Sequence, residues 1–256
     1  MTLRFTPLEQ LRASPYAEVI CYPKLTQKEL NERLQELKQL QITAIEFIGE
    51  KSVHNVPILG KGCVGIVVKA FTSTAAVALK IRRMDADRAE MKHEAEMLKI
   101  ANSINVGPKF LSSSKNFLLM EYLEGPFFPE WLKTAKGRQR KQRTRKILCL
   151  ALEQCWRLDM AGLDHGELSH APKHIIIKSD DIPYIIDFET ASTIRKTSNL
   201  TSLCQYFFIA NQTAKLIAKK LGTVDKEKLK QILRKYKERM TRENFEDVLK
   251  TVKLAW

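Results

Sequence analysis

Three of the chain's ten glycines fall within six residues, in Gly60-Lys61-Gly62-Cys63-Val64-Gly65-Ile66-Val67. Where no side chain intervenes, backbone N–H groups can close on phosphate oxygens. Residues of β type lie on both sides, which fits strand, loop and strand rather than the helix-opening turn of a dinucleotide site. Lys80 follows Gly65 by fifteen residues, at the end of Val77-Ala78-Leu79-Lys80. Alternation along a strand puts Ala78 and Lys80 on one face, so the ammonium can reach beneath the glycine loop toward phosphates. The next helical pattern should supply an acid to hold it. Glu94 is the best placed, Glu90 lies one turn earlier on the same face, and Glu96 is less well placed.

A second group of chemically capable side chains lies in Asp164-His165-Gly166-Glu167-Leu168-Ser169-His170-Ala171-Pro172-Lys173-His174, with three histidines and two acids in eleven residues. Such a set could ligate Zn2+. A helical zinc site needs histidines four residues apart on one face, however, and Pro172 interrupts the interval from His170 to His174. Zinc is therefore not the expectation.

Taken in order, these motifs resemble the protein-kinase superfamily, and more closely its small atypical members, the RIO kinases and the kinase of the KEOPS tRNA-modification complex. The resemblance runs over 57–189, about half of the chain. It implies that Gly60, Gly62, Gly65 and Val67 cover ATP, that Ala78 lines the nucleotide, and that Lys80, held by Glu94, meets its phosphates. Phe117-Leu118-Leu119-Met120-Glu121-Tyr122-Leu123-Glu124-Gly125 looks like the fifth strand and hinge. By that similarity Met120 is the gatekeeper, and the backbones of Glu121 and Leu123 bind the adenine edge. Asp187-Phe188-Glu189 is similar to the metal-binding D-F-G, with Asp187 on Mg2+ and Glu189 replacing the glycine. Leu163 to Ser169 looks like the catalytic loop, with Glu167 where the family has an aspartate. A carboxylate there orients the nucleophilic hydroxyl and accepts its proton. Glutamate is one methylene longer, and a displacement of about 1 Å can cost on the order of 100-fold in rate.

The family's metal-binding asparagine has no direct match, since Pro172 stands five residues after Glu167. Counting back from Ile175-Ile176-Ile177 puts His174 in that position, with Lys173 beside it, at the expense of a two-residue insertion. His174 is then the second expected metal ligand, although hard Mg2+ prefers oxygen, and the alternative is that Lys173 contacts a phosphate instead. Only about ten residues, 190–199, precede the next helical pattern, and no A-P-E element follows. A long activation segment cannot be fitted there, an economy shared with the RIO and KEOPS-type kinases. The resemblance thus implies an atypical serine/threonine kinase that transfers the γ-phosphate of ATP with Mg2+, autophosphorylation included, to a protein substrate the sequence does not name. A catalytically weak ATP-binding scaffold or ATPase in an RNA-associated complex is the alternative, favoured by Glu167 and Glu189. A small-molecule phosphotransferase is a third reading.

The elements that must position these residues are legible in outline. Thr26 and Glu29 form a capping-box pattern before Leu30, Leu34, Leu37 and Leu40, an amphipathic helix expected to precede the first strands. A β-meander follows over 53–81, a helix over 85–102, a strand over 117–122 and a helix over 143–160. Two short strands flank Ser179-Asp180-Asp181, and helices return beyond Leu200. The expected fold is α+β and bilobal, protein-kinase-like, with a minimal C-lobe: an N-terminal helical extension (1–46), an N-lobe (47–123) and a helical C-lobe (124–256).

At 256 residues and 44% apolar, the chain can bury a core, which excludes disorder as its main state. Its net charge of +14 is local. The run 133–146 holds eight basic residues and no acid, and 212–256 holds thirteen basic against six acidic, so the rest is near neutral. A charge run as dense as 133–146 suits RNA or another polyanion. No apolar run approaches the ~18 residues of a membrane helix, and the first residues do not resemble a secretory signal, so no membrane contact and a cytoplasmic location are expected. Five scattered cysteines without a C-x-x-C pair suggest reduced thiols rather than a disulfide framework or zinc knuckle.

Overall fold

A computed structural model describes residues 5–87, 91–209 and 212–254. The chain is mixed α+β with an antiparallel sheet, and it divides into two compact units. One comprises Met1–Glu96 and Pro108–Tyr122, the other Met97–Gly107 and Leu123–Trp256.

The first unit is built on a sheet in the order Phe5–Pro7, Ala44–Glu46, Gly65–Phe71, Ala76–Arg82, Phe117–Glu121, Phe110–Ser113, with Gly60–Lys61 also paired to Gly65–Phe71. Register decides what each face does. Ile66, Val68, Val77, Leu79, Ile81, Phe117 and Leu119 form one buried core with Leu30, Leu34 and Leu37 of the Gln27–Gln39 helix. Directly opposed residues of an antiparallel pair share a face. The pairs Gly65–Arg82, Val67–Lys80, Ala78–Met120 and Lys80–Leu118 therefore set Gly65, Val67, Ala78, Lys80 and Met120 on the other face. There Met91, Ala95 and Leu118 form a second apolar cluster, packed by Val64, Phe110 and Met120. A slip of one residue would exchange the two faces.

Thr26 caps the Gln27–Gln39 helix, its Oγ1 accepting from Glu29 N–H at 3.3 Å. The Glu29 carboxylate does not return to the cap but takes Arg33 Nε at 2.9 Å. Arg33 lies in the buried leucine stripe and is fully buried. Its guanidinium donates to Ile20 C=O at 2.7 Å, Arg82 C=O at 2.6 Å and Asn116 Oδ1 at 3.2 Å. Asn116 is held in turn by Glu36, which accepts from its N–H at 3.0 Å and its Nδ2 at 2.6 Å. One expectation is corrected here: the helix does not precede the first strand. Phe5–Pro7 comes before it and pairs with Ala44–Glu46. A three-residue edge strand is too short to show a period of two.

The second unit is largely helical, with Phe128–Thr134, Arg140–Met160, Asn199–Cys204, Gln212–Leu221, Lys226–Glu238 and Arg242–Thr251. Asp225 and Thr241 cap the last two, accepting from the N–H groups of Lys228 at 3.0 Å and Asn244 at 3.3 Å. The expected strand pair is present as Ile175–Ile177 and Pro183–Ile185. Arg140–Met160 begins three residues before the apolar period does, because its first turn is wholly basic and polar and carries no hydrophobic signal. Among the described residues no helix is long and apolar enough to cross a membrane. Cys21, Cys155 and Cys204 are buried free thiols, Cys149 is half-buried and Cys63 is exposed.

Candidate functional site

In the strand-rich unit the glycine loop is a tight hairpin. Gly60 and Lys61 pair with Val67 and Ile66, and Gly62 N–H donates to Gly65 C=O at 2.8 Å. Lys61, Gly62 and Cys63 at its tip are exposed. Arg83 fastens the hairpin to the next strand, through its N–H to Val64 C=O at 2.8 Å and its Nη1 to Gly62 C=O at 3.1 Å. Gly65 is required by close approach. A Cβ there would stand 2.9 Å from Cγ and Cε of Lys80. The stem of Lys80 occupies the space that glycine leaves.

Lys80 Nζ lies 3.0 Å and 2.8 Å from the two carboxylate oxygens of Glu94, on the Lys92–Ser103 helix. Both are buried, at 4% and 5% exposure. The partner expected from helical spacing is therefore the observed one. Glu96 is instead 4.0 Å from Lys92 at the surface, and Glu90 lies outside the described residues. Met120 and Glu121 are half-buried and Leu123 is buried. Glu121 N–H donates to Lys109 C=O at 2.9 Å, so this amide is already engaged within the sheet.

In the helical unit a buried polar network sets the loop 163–167. Asp159, on the last turn of Arg140–Met160, accepts from Asn199 N–H at 2.9 Å and Nδ2 at 2.8 Å, from Leu200 N–H at 3.1 Å and from Tyr236 O–H at 3.0 Å. Asn199 passes this on, donating to Leu163 C=O at 2.8 Å and accepting from His165 N–H at 2.8 Å. Burial holds the Asp159 carboxyl above its ordinary range, against the pull of the donors. His165 donates Nε2–H to Ile186 C=O at 3.0 Å, and burial lowers its pKa to about 4, so the ring is neutral at pH 7. Phe188, buried beside His165 at 5.2 Å between centroids, closes this packing.

Gly166 has φ +91°, and a Cβ would stand 2.5 Å from Arg195 Nη2. That arginine binds Asp164 through Nε at 3.0 Å and Thr190 C=O at 2.7 Å, tying the loop to the residues after Asp187. Glu167 follows, 43% exposed along its side chain, with Oε2 3.2 Å from His174 Nε2. His174 thus meets the carboxylate expected to do chemistry. Its buried Nδ1 has no partner among the described residues, and Lys173 beside it is exposed. Asp187 has φ +70°, in the left-handed region that aspartate enters more readily than most side chains. Carboxylate oxygens of Asp187 and Glu189 lie within 4.8 Å of one another, a spacing at which two oxygens can share one hard cation.

Sequence reasoning missed Asp159, Asn199, Arg195 and Tyr236, which come from separate segments and carry no motif. Arg33 left a readable signal: a charged residue four after Glu29, inside an apolar stripe.

No protein-family profile matches the chain. Uncharacterized protein MJ1211 of Methanocaldococcus jannaschii is 31% identical to it over 120 residues, which are 98% of that protein and 46% of this chain. The chain belongs to the family of that archaeal protein.

Proposed function

We propose that the chain is an atypical serine/threonine kinase of the RIO-like and KEOPS type, bilobal in the kinase manner, which transfers the γ-phosphate of ATP. The observation that carries this reading is the buried Lys80–Glu94 pair on the sheet face that also bears Gly65, Val67, Ala78 and Met120. A buried ion pair contributes little net stability, so a cation held this way is better explained by a phosphate to bind than by the fold.

The carboxylates of Asp187 and Glu189 suit Mg2+ as oxygen donors, whereas His174 Nε2 is turned to Glu167 and fits the metal poorly. Bound Mg2+ would neutralise phosphate charge. Lys80 would hold phosphate oxygens, with its position fixed by Glu94. Glu167 would orient the acceptor hydroxyl and take its proton, with His174 fixing the carboxylate. The neutral, buried His165 would keep the loop in register through Ile186.

The alternative, an ATP-binding scaffold or ATPase of low transfer activity, is favoured by the engagement of Glu167 with His174. The run 133–146 is read as a contact for RNA or another polyanion. Incubation of the pure protein with labelled ATP and Mg2+, with and without cell extract, separates these readings. Labelled protein supports the kinase, free phosphate the ATPase and a labelled small molecule the third reading. Absence of ATP binding by wild-type protein would remove all three.

A further inference from the structure

We propose that a groove in the helical unit binds the phosphodiester backbone of double-helical nucleic acid, and that Arg138, Lys141, Arg145 and Lys253 hold it. These four cations line one open groove, with Gln139 and Gln142 between them and no acid among the lining residues. Lys141 and Arg145, four residues apart, project along one side of the start of the Arg140–Met160 helix, and Arg138 lies in the turn just before it. Lys253 arrives from the other end of the unit, at the close of the Arg242–Thr251 helix, and its Nζ is steadied by Thr223 C=O at 3.3 Å. The Arg140–Met160 helix has no acid in its first turn and no side-chain cap, so its positive end adds to the same field.

The fold sorts the basic run into two classes. Arg143 donates through Nε and Nη2 to the two carboxylate oxygens of Asp181, at 2.6 and 2.7 Å, and lies over Trp131 at 5.5 Å. Lys146 donates to Asp180 C=O at 3.1 Å. These two hold the helix to the turn between the short strands and do not line the groove. Arg138, Lys141 and Arg145 are exposed.

The lining also selects the occupant. A membrane surface would need apolar side chains to insert, and none of the large exposed apolar residues lines the groove. A protein partner would need aromatic or apolar anchors, and Leu254, the one apolar residue there, is buried. A single strand would need aromatic platforms for its bases, and the groove has none. Clustered cations with amide side chains between them suit phosphates at regular spacing, read without base specificity.

This inference builds on the polyanion reading of 133–146 and is independent of the phosphotransfer reading. The test is anisotropy of a short duplex RNA, a duplex DNA of equal length and poly-glutamate with the full chain, over a series of salt concentrations. Wild type should bind a duplex with a steep salt dependence. Replacing Arg138, Lys141, Arg145 and Lys253 by Gln should make the log–log slope shallower by about one unit for each cation removed. Arg143→Gln should leave the slope unchanged. Binding of either duplex by wild type that the fourfold variant loses upholds the proposal, and the tighter duplex identifies the source of the phosphates. Wild-type slope and affinity in the fourfold variant would overturn the groove while leaving the polyanion reading to the remaining basic residues. Lack of any duplex binding by wild type would overturn the groove as a double-helix site. Poly-glutamate bound as tightly as duplex would overturn the choice of phosphodiester as the occupant. Protection of 138–145 from hydrogen exchange when duplex is added to wild type is expected, and its absence counts against the groove without any substitution.

Discussion

Lys80 in the strand-rich unit and Asp159 in the helical unit are both buried ionisable groups at the root of a candidate site, but they are satisfied in opposite ways. Lys80 has a full counter-charge in Glu94, 2.8 Å away. Asp159 has no cation among the described residues: its four hydrogen bonds come from neutral N–H and O–H donors, and burial raises its pKa. Counter-charge ties a side chain to one partner, and loss of that partner leaves a buried charge. Neutral donors fix a loop while leaving a group whose protonation is coupled to folding. The strand-rich unit should therefore respond most to the removal of a charge, and the helical unit to a change of pH.

The strongest break in this contrast is removal of one half of the ion pair. Lys80→Ala leaves Glu94 buried without its cation and should cost about 3–5 kcal/mol in denaturant unfolding, besides abolishing ATP binding. Replacing both residues, Lys80→Met with Glu94→Leu, should restore most of the stability and none of the nucleotide binding. Recovery of both properties together would mean that the pair serves the fold alone.

Next in size is the acid response of the helical unit. His165 has a folded pKa of about 4 against an ordinary 6.5, so the unfolded chain takes the proton first. Its contribution is complete above pH 6.5 and is lost as pH falls toward 4. Between pH 7 and 4.5 this amounts to about 2 kcal/mol. Asp159 has the opposite sign: its pKa is raised, so its contribution is present below the ordinary carboxylate range and is lost as pH rises through the folded value. His165→Gln should flatten the fall in unfolding free energy on acidification, and Asp159→Asn should steepen it. Equal pH profiles for wild type and both variants would erase the proposed difference between the units.

A smaller effect sharpens the reading of the glycine loop. Gly65→Ala forces a Cβ against the Lys80 stem at 2.9 Å and should cost about 1–3 kcal/mol. At Gly60 the nearest atom to an added Cβ is 3.7 Å away, in ordinary contact, so Gly60→Ala should change stability by no more than about 0.5 kcal/mol. A loss of ATP affinity in Gly60→Ala at unchanged stability would locate the need for glycine there in the nucleotide. The smallest effect is that of Arg143→Gln. It removes a half-exposed pair with Asp181 and should lower stability by about 1 kcal/mol or less in thermal unfolding.

Much of this arrangement was legible in local pattern, and the exceptions share a cause. The Gln27–Gln39 helix, the meander, the Lys80–Glu94 partnership and the two short strands each follow from periodicity, capping or spacing within a few residues. The strand Phe5–Pro7 was not legible because it is too short to show a period. Arg33 stood in plain view as a charge in an apolar stripe, yet its acceptors at Ile20, Arg82 and Asn116 are set by three distant segments.

Residue type and spacing alone determined that a glycine hairpin precedes a lysine-bearing strand, that an acid sits one helix later, and that Glu167 and Asp187 follow. These are short-range properties, fixed by steric limits on the backbone and by the periods of helix and strand. Tertiary structure alone decided that Gly65 is needed to admit the Lys80 stem, that His174 turns to Glu167, and that Asp159 and Asn199 hold the loop. It also decided that Arg143 is structural while Arg138, Lys141 and Arg145 face solvent. Buried polar groups must find partners wherever the fold brings donors and acceptors together, and that meeting depends on segments far apart in the chain.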